Sequence, residues 1–516
     1  MGSQQSKTPA PGAHEKATSD RLHRMKLHEA DSSDEVKEKS GGFSRDAEAL
    51  PLDAVSLFPS DLLEDPRNRL ALAALSSANP QTVLTSQASK IANQHVFNTK
   101  IPFEGGPVTN QRSSGRCWLF ASTNVFRVAL MKKYGLESFE LSQNYLFYYD
   151  KLEKSNWFLE QIIATADEDL DGRVVQRLLT DLISDGGQWD MVYNLVDKYG
   201  LVPQTLYPDS WNAQNSKVLN AVLKTKLREC ALELRKAVAT GQAPGVISAM
   251  KTTYMQDVQK ITTLLLGPTP NPTEEFTWTY ADKNAKVHSL TITPRDFARN
   301  ISSSNVQITS ATIADMVSLV NDPRNDLMSL LTVDRLGNVV GGRGVTYINV
   351  GMDTFKEACV RMIRAGIPVF FGCDVGKFSD TASGVMDLDI FHYEVGIGTD
   401  LLGMTKEQRL RAGESQMTHA MVLTAVHLDE LTGRPVRWRV QNSWGTERGD
   451  KGWFVMTDRW MDEFVYQAVV DRRFLSKEVR DVVGQEPTVL PLWDPMGSLA
   501  LIEQSPCPVP EAHEER

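Results

Sequence analysis

Apolar side chains recur at helical spacing from Cys117 to Tyr134, at Leu119, Phe120, Val125, Phe126 and Leu130, and Gly135 follows as a stop. The pattern predicts a helix whose first residue is a cysteine, preceded by the polar turn Gln111–Arg116. A second helix is predicted from Ser142, with others to about residue 200. Helical periodicity returns from Ser216 to about Leu266, through Leu219, Leu223, Leu227, Cys230 and Leu234, and the Pro-rich run at 267–273 ends it. Residues 276–282 and 286–294 alternate around a short polar turn and predict a β-hairpin. The last third reads as strands: 366–375, 419–428, 436–444 and 452–458 are short β-branched and aromatic runs between Gly, Asp and Pro turns. Helices first and strands later indicate an α+β fold, a helical lobe facing a β-sheet lobe.

Residues 1–50 are rich in Ser, Lys, Glu, Asp and Gly and carry few large apolar side chains. They are expected to be a disordered N-terminal tail, because they cannot bury enough surface to offset their ordering entropy. Residues 51–500 are expected to form the folded part. The Pro- and Glu-rich stretch 501–516 is expected to be a disordered extension. No apolar run reaches the ~20 residues of a membrane span, and the N-terminus lacks the apolar core of a secretory signal. It does fit an N-myristoylation pattern at Gly2 with Ser6. One such chain supports only weak membrane association.

The 516 residues are 41% hydrophobic and 23% charged, with a formal net charge of -10. That balance argues against a surface built throughout for nucleic acid, while leaving a local basic patch open. The five cysteines, at 117, 230, 359, 373 and 507, form neither a disulfide framework nor metal-ligand spacing. The expectation is a reducing, cytoplasmic location, with no metal and no cofactor.

Cysteine attacks as a thiolate, and a helix N-terminus favours negative charge. Cys117 is therefore the candidate nucleophile, and a distant histidine is needed as its base. Of nine histidines, His419 stands where a polar stretch gives way to a strand. Asn442, at the end of another strand, could hold one ring nitrogen through a neutral amide oxygen.

Gln111, Gly115, Cys117 and Trp118, followed far downstream by His419 and Asn442-Ser443-Trp444-Gly445, resemble the papain superfamily of cysteine peptidases. The resemblance implies that the Gln111 amide and the Cys117 N–H form the oxyanion hole, and that Trp444 shields the His–Asn bond. It implies that Gly186 and Gly187, in Ser184–Asp190, let substrate backbone approach. Secreted members carry a structural cysteine where this chain has Ser114. Cys117 and His419 lie 302 positions apart, against ~130–150 in compact members, so a large helical insertion is expected at about 211–330. The strand-rich lobe then falls at about 345–475 and a C-terminal arm at about 485–500.

Residues 95–122, 370–378, 417–426, 440–445 and 491–500 resemble the bleomycin hydrolase family, over essentially 60–500. This implies an aminopeptidase acting on peptides and amino-acyl amides, assembled as a homohexameric cage. It also implies that the chain's C-terminus lies in the cleft, with the family's tail ending at about Ala500. Here 16 residues follow Ala500, so exopeptidase specificity depends on whether they are trimmed. Fungal relatives can bind nucleic acid, which the acidic balance does not support. The same nucleophile could also serve a thiolactone hydrolase or an acyl transferase.

Overall fold

The computed structural model describes residues 50–299, 302–303, 306–307 and 310–501. Gly2, the tail expected before residue 50 and the extension expected after Ala500 fall, but for residues 50 and 501, outside the described residues. By packing the chain divides into two units, Met1–Leu70 and Ala71–Arg516. The first carries the helix Leu52–Glu64, on which Leu52, Phe58 and Leu62 are exposed.

The second unit is α+β, as expected. Its central helix α1 (Cys117–Tyr134) ends on Gly135, which takes the left-handed φ of 66° that a side chain would resist. Every residue from Cys117 to Met131 is buried. The helix therefore runs through the core rather than lying on it with one apolar face. Helix α2 (Gln143–Ala164) starts at Ser142, whose hydroxyl accepts from the Tyr145 N–H at 3.0 Å. Helix α3 (Trp189–Tyr199) packs against α1 and α2. The predicted 216–266 helix is two, α4 (Lys217–Ala239) and α5 (Pro244–Leu266), broken where Pro244 opens a new first turn. Both rest on α2. The hairpin Phe276–Ala281/Val287–Ile292 follows as its own two-stranded sheet.

The main sheet has twelve strands. Six matter for the site: β1 (Met316–Val320), β2 (Val369–Cys373), β3 (His419–Leu428), β4 (Pro435–Gln441), β5 (Trp453–Thr457) and β6 (Val465–Asp471). Their spatial order is β5-β4-β3-β2-β6-β1, and each of these neighbours is antiparallel. Beyond β1 the sheet continues through Tyr347–Asn349, Ser329–Val333 and Thr488–Leu490. The sheet also takes in Thr99–Lys100, paired with β3, and through Met316–Val320 it extends into the span expected to be insertion, before the expected residue 345. The short run Met316–Val320 is wholly buried and shows no alternation, so periodicity alone does not reveal it.

Helix α1 lies across β3 and β2. This brings Cys117, at the start of α1, to the end of the sheet where β3 begins with His419.

Candidate active site

Cys117 is the first residue of α1 and its side chain is fully buried. The turn before it is held at several points. Arg112 takes a left-handed φ of 55°, its N–H donating to Asn110 Oδ1. Arg116 is buried and makes a two-pronged contact with Asp209, each bond 2.8 Å, while its Nε donates to Ser114 Oγ.

His419 is 3% exposed and directly faces Cys373 across the β2–β3 pair. Because β3 and β4 are antiparallel with Val422 opposite Gln441, the residues just past β4 fold back beside the start of β3. Asn442 Oδ1 therefore sits 2.8 Å from His419 Nε2 and also accepts from the Ser443 N–H at 2.7 Å. The Trp444 ring lies 4.7 Å from the imidazole, tilted by 30°. It covers the polar pair with an apolar face.

Burial pushes the His419 pKa down to about 4, only partly countered by the Asn442 bond. An imidazolium here therefore needs an anion close by. With Nε2–H given to Asn442, Nδ1 is the nitrogen left to exchange a proton with a thiol.

Gln111 is tied to the same loop. Its N–H donates to Ser443 O at 2.8 Å, and Ser443 Oγ donates to Gln111 Oε1 at 2.7 Å. The amide nitrogen is thereby turned away from Ser443 and donates to Ser114 O at 2.7 Å, toward the cysteine turn. Gly445 N–H donates to Thr109 O. Its φ is +75°, and a Cβ there would meet Asn110 Nδ2 at 2.5 Å, so only glycine lets the two loops close.

Gly186 and Gly187 lie beside Trp118. A Cβ on Gly187 would fall 2.5 Å from the Trp118 ring carbons, so this glycine is required by packing behind the nucleophile. Gly186 O accepts from the buried Lys154 at 2.5 Å.

The segment that ends at Ala500 is also buried at this site. Ser498 Oγ donates to Met417 O at 2.7 Å, two residues before His419. Ala500 O accepts from the Ser184 hydroxyl. Asp374, after β2, shapes the same 415–418 loop: its carboxylate accepts from Ser415 and Thr418, and burial pushes its pKa up.

The structure thus brings Gln111, Cys117, Gly186, Gly187, His419, Asn442, Trp444 and Ala500 to one region. Sequence reasoning missed Ser443, Ser184, Asp185 and Asp374. All four sit inside stretches already singled out: Ser184 and Asp185 in 184–190, Asp374 in 370–378 and Ser443 in 442–445. Among the described residues, no group of three or more His, Cys, Asp or Glu could hold a metal ion, and no helix is long and apolar enough to cross a membrane.

A family model described as the Peptidase C1-like family matches residues 49–497. Bleomycin hydrolase of Rattus norvegicus is 42% identical over 457 residues, spanning 87% of this chain and 99% of that protein. The Homo sapiens bleomycin hydrolase is 41% identical over the same length and shares. A Saccharomyces cerevisiae protein named "Cysteine proteinase 1, mitochondrial" (strain JAY291) is 41% identical over 463 residues, 88% of this chain and 94% of that one. The crystal structure of PepW from Lactobacillus rhamnosis HN001 superposes with a TM-score of 0.82 at 39% identity, covering 87% of this chain and 99% of that one.

Proposed function

The chain belongs to the Peptidase C1-like family and is a papain-like cysteine peptidase; from that premise we propose that it is an aminopeptidase of the bleomycin hydrolase type. Cys117 is the nucleophile, His419 its base, and Asn442 the group that orients the base. The thiol gives its proton to His419 Nδ1, and the thiolate attacks the scissile carbonyl. The Gln111 amide and the Cys117 N–H receive the developing oxyanion. His419 returns the proton to the leaving amine, and water then releases the acyl group from sulfur. Trp444 keeps water off the His–Asn bond. Gly186 and Gly187 let the substrate backbone approach.

The observation that carries the aminopeptidase reading is the buried arm. Ser498 is bonded on the base's side, through Met417, and Ala500 on the nucleophile's side, through Ser184. An arm seated between these two anchors occupies cleft that an internal peptide bond would need. A carboxylate at Ala500 would select an α-ammonium, which requires hydrolysis of the Ala500–Leu501 bond. The protein is taken to act in the cytoplasm as a homohexamer, which sedimentation would test.

Two measurements decide. Purified protein is expected to hydrolyse amino-acyl fluorogenic amides and to lose this in Cys117→Ala, with the fold kept by circular dichroism. N-acetylated versions of the same amides are expected to react at least about tenfold more slowly. Equal rates on free and acetylated substrates would overturn the aminopeptidase assignment; activity in Cys117→Ala would overturn the nucleophile.

A further inference from the structure

Ser114 cannot form a disulfide, yet the turn before Cys117 must keep the sulfur and the oxyanion donors in register. The contacts that do this converge on one buried side chain. Asp185 Oδ2 accepts from the Gly115 N–H at 3.1 Å, two residues before the nucleophile. Its backbone oxygen accepts from the Trp118 indole N–H at 2.6 Å, one residue after it. The nucleophile is thus held on both flanks by a single residue.

Asp185 is itself fixed in place. Lys151 Nζ lies 2.7 Å from Oδ1 and also donates to Ile183 O. Asn220 Nδ2 donates to Oδ1 at 2.8 Å, and the Ser216 hydroxyl donates to Oδ2. Burial works to push this carboxyl up, but the Lys151 ammonium and the hydroxyl and amide donors outweigh it and hold the pKa well below the usual carboxylate range. Oδ1 and Oδ2 each take two donors, so the carboxylate has no rotational freedom left. Three more contacts extend the frame: Lys154 donates to Ser184 O and Gly186 O, and the Ser184 hydroxyl donates to Ala500 O.

Resting on the peptidase reading above, we infer that Asp185 is a positioning residue for Cys117. It is a charged clamp, seated on α2 through Lys151 and on α4 through Asn220, that sets where the sulfur and the Cys117 N–H stand relative to the substrate carbonyl. Through Ser184 the same segment ties the seat of the arm to the nucleophile, so the distance from Ala500 to Cys117 is set by one rigid stretch of chain.

A clamp of this kind acts on the transition state more than on binding. In full-length Asp185→Asn, kcat on an amino-acyl amide is expected to fall at least tenfold while KM changes less than threefold. The rate of Cys117 alkylation by iodoacetamide, which needs a thiolate but no oxyanion donors, is expected to change less than threefold. Asp185→Asn leaves Lys151 buried against an amide, so Asp185→Asn/Lys151→Met is made in parallel; it removes both charges and is expected to keep the low kcat. Ser216→Ala, which spares the ion pair, is expected to give an intermediate kcat.

Wild-type kcat in any folded variant lacking the Asp185 carboxylate overturns the inference. So does failure of both such variants to fold when Ser216→Ala keeps wild-type kcat, which makes the pair structural alone. So too does a parallel loss of kcat and alkylation, which places the defect in the thiolate. A wild-type protein that hydrolyses no amino-acyl amide instead refutes the functional reading and leaves the geometry around Asp185 as described.

Discussion

Ser443 donates to Gln111 Oε1 and so decides which end of that amide faces the cysteine turn. Ser443→Ala removes one neutral hydrogen bond, about 1 kcal/mol. It is expected to lower kcat about fivefold with KM unchanged, as steady-state kinetics would show. Gln111→Ala removes the donor itself and is expected to cost on the order of 10²–10³ in kcat, with Cys117 alkylation retained. His419 carries a sign that can be worked out. Its folded pKa of about 4 lies below the ~6.5 of an unfolded histidine. Between these values the unfolded chain binds a proton that the folded one does not, so stability falls as pH drops through that window. In Cys117→Ala no thiolate faces the ring. Urea unfolding of that variant is expected to lose about 2.5 kcal/mol between pH 7 and 4.5 from this residue, a loss absent from Cys117→Ala/His419→Gln. An equal loss in both would assign it to other groups.

At the scale of elements, the site is a meeting of α1 with β3 and of two loops, 109–116 and 442–445. The helix start at Cys117, its stop at Gly135 and the strands that bear His419 and precede Asn442 were all legible in the sequence, because each is written in a short local pattern. What holds them was not. Asp185 meets Lys151 and Asn220 across 34 and 35 positions, and Arg116 meets Asp209 across 93; no periodicity encodes such pairs. The strand β1 escaped notice for a different reason, being buried on both faces. Gly187 shows how a motif glycine can be read for one purpose and required for another. Gly187→Ala drives a Cβ into the Trp118 ring, and the indole cannot retreat without losing its bond to Asp185 O. The variant is expected to be destabilised by about 1–3 kcal/mol, measured by urea unfolding, and to be alkylated more slowly at Cys117. Unchanged stability would mean that Trp118 has room to move.

At the scale of the whole molecule, the question is whether the buried arm limits this cleft to chain ends, as the aminopeptidase proposal requires. Ser498, Leu499 and Ala500 are buried, although they lie within a few residues of the end of the described chain. Their anchors stand on opposite sides of the site, Met417 before β3 and Ser184 before the Asp185 clamp. Tyr347 and Gln188 add donors to Met496 O, so the arm is fixed along its length rather than only at its tip. Burying Met496–Ala500 and holding the stretch with four side-chain hydrogen bonds costs chain entropy, and an arm that served stability alone would gain as much elsewhere on the surface. If it acts as a barrier, deleting Ser498–Arg516 leaves Cys117, His419, Asn442 and Gln111 in place and opens the cleft. The truncated protein is expected to keep Cys117 alkylation within about threefold. It is expected to cleave an N-acetylated peptide amide at least tenfold faster than the full chain, and to lose its preference for a free amino terminus. Mass spectrometry of the cleaved peptides would show internal cuts. Truncated protein that still rejects blocked substrates would place the barrier in the cleft walls, with Gly186 and Gly187 the first positions to test.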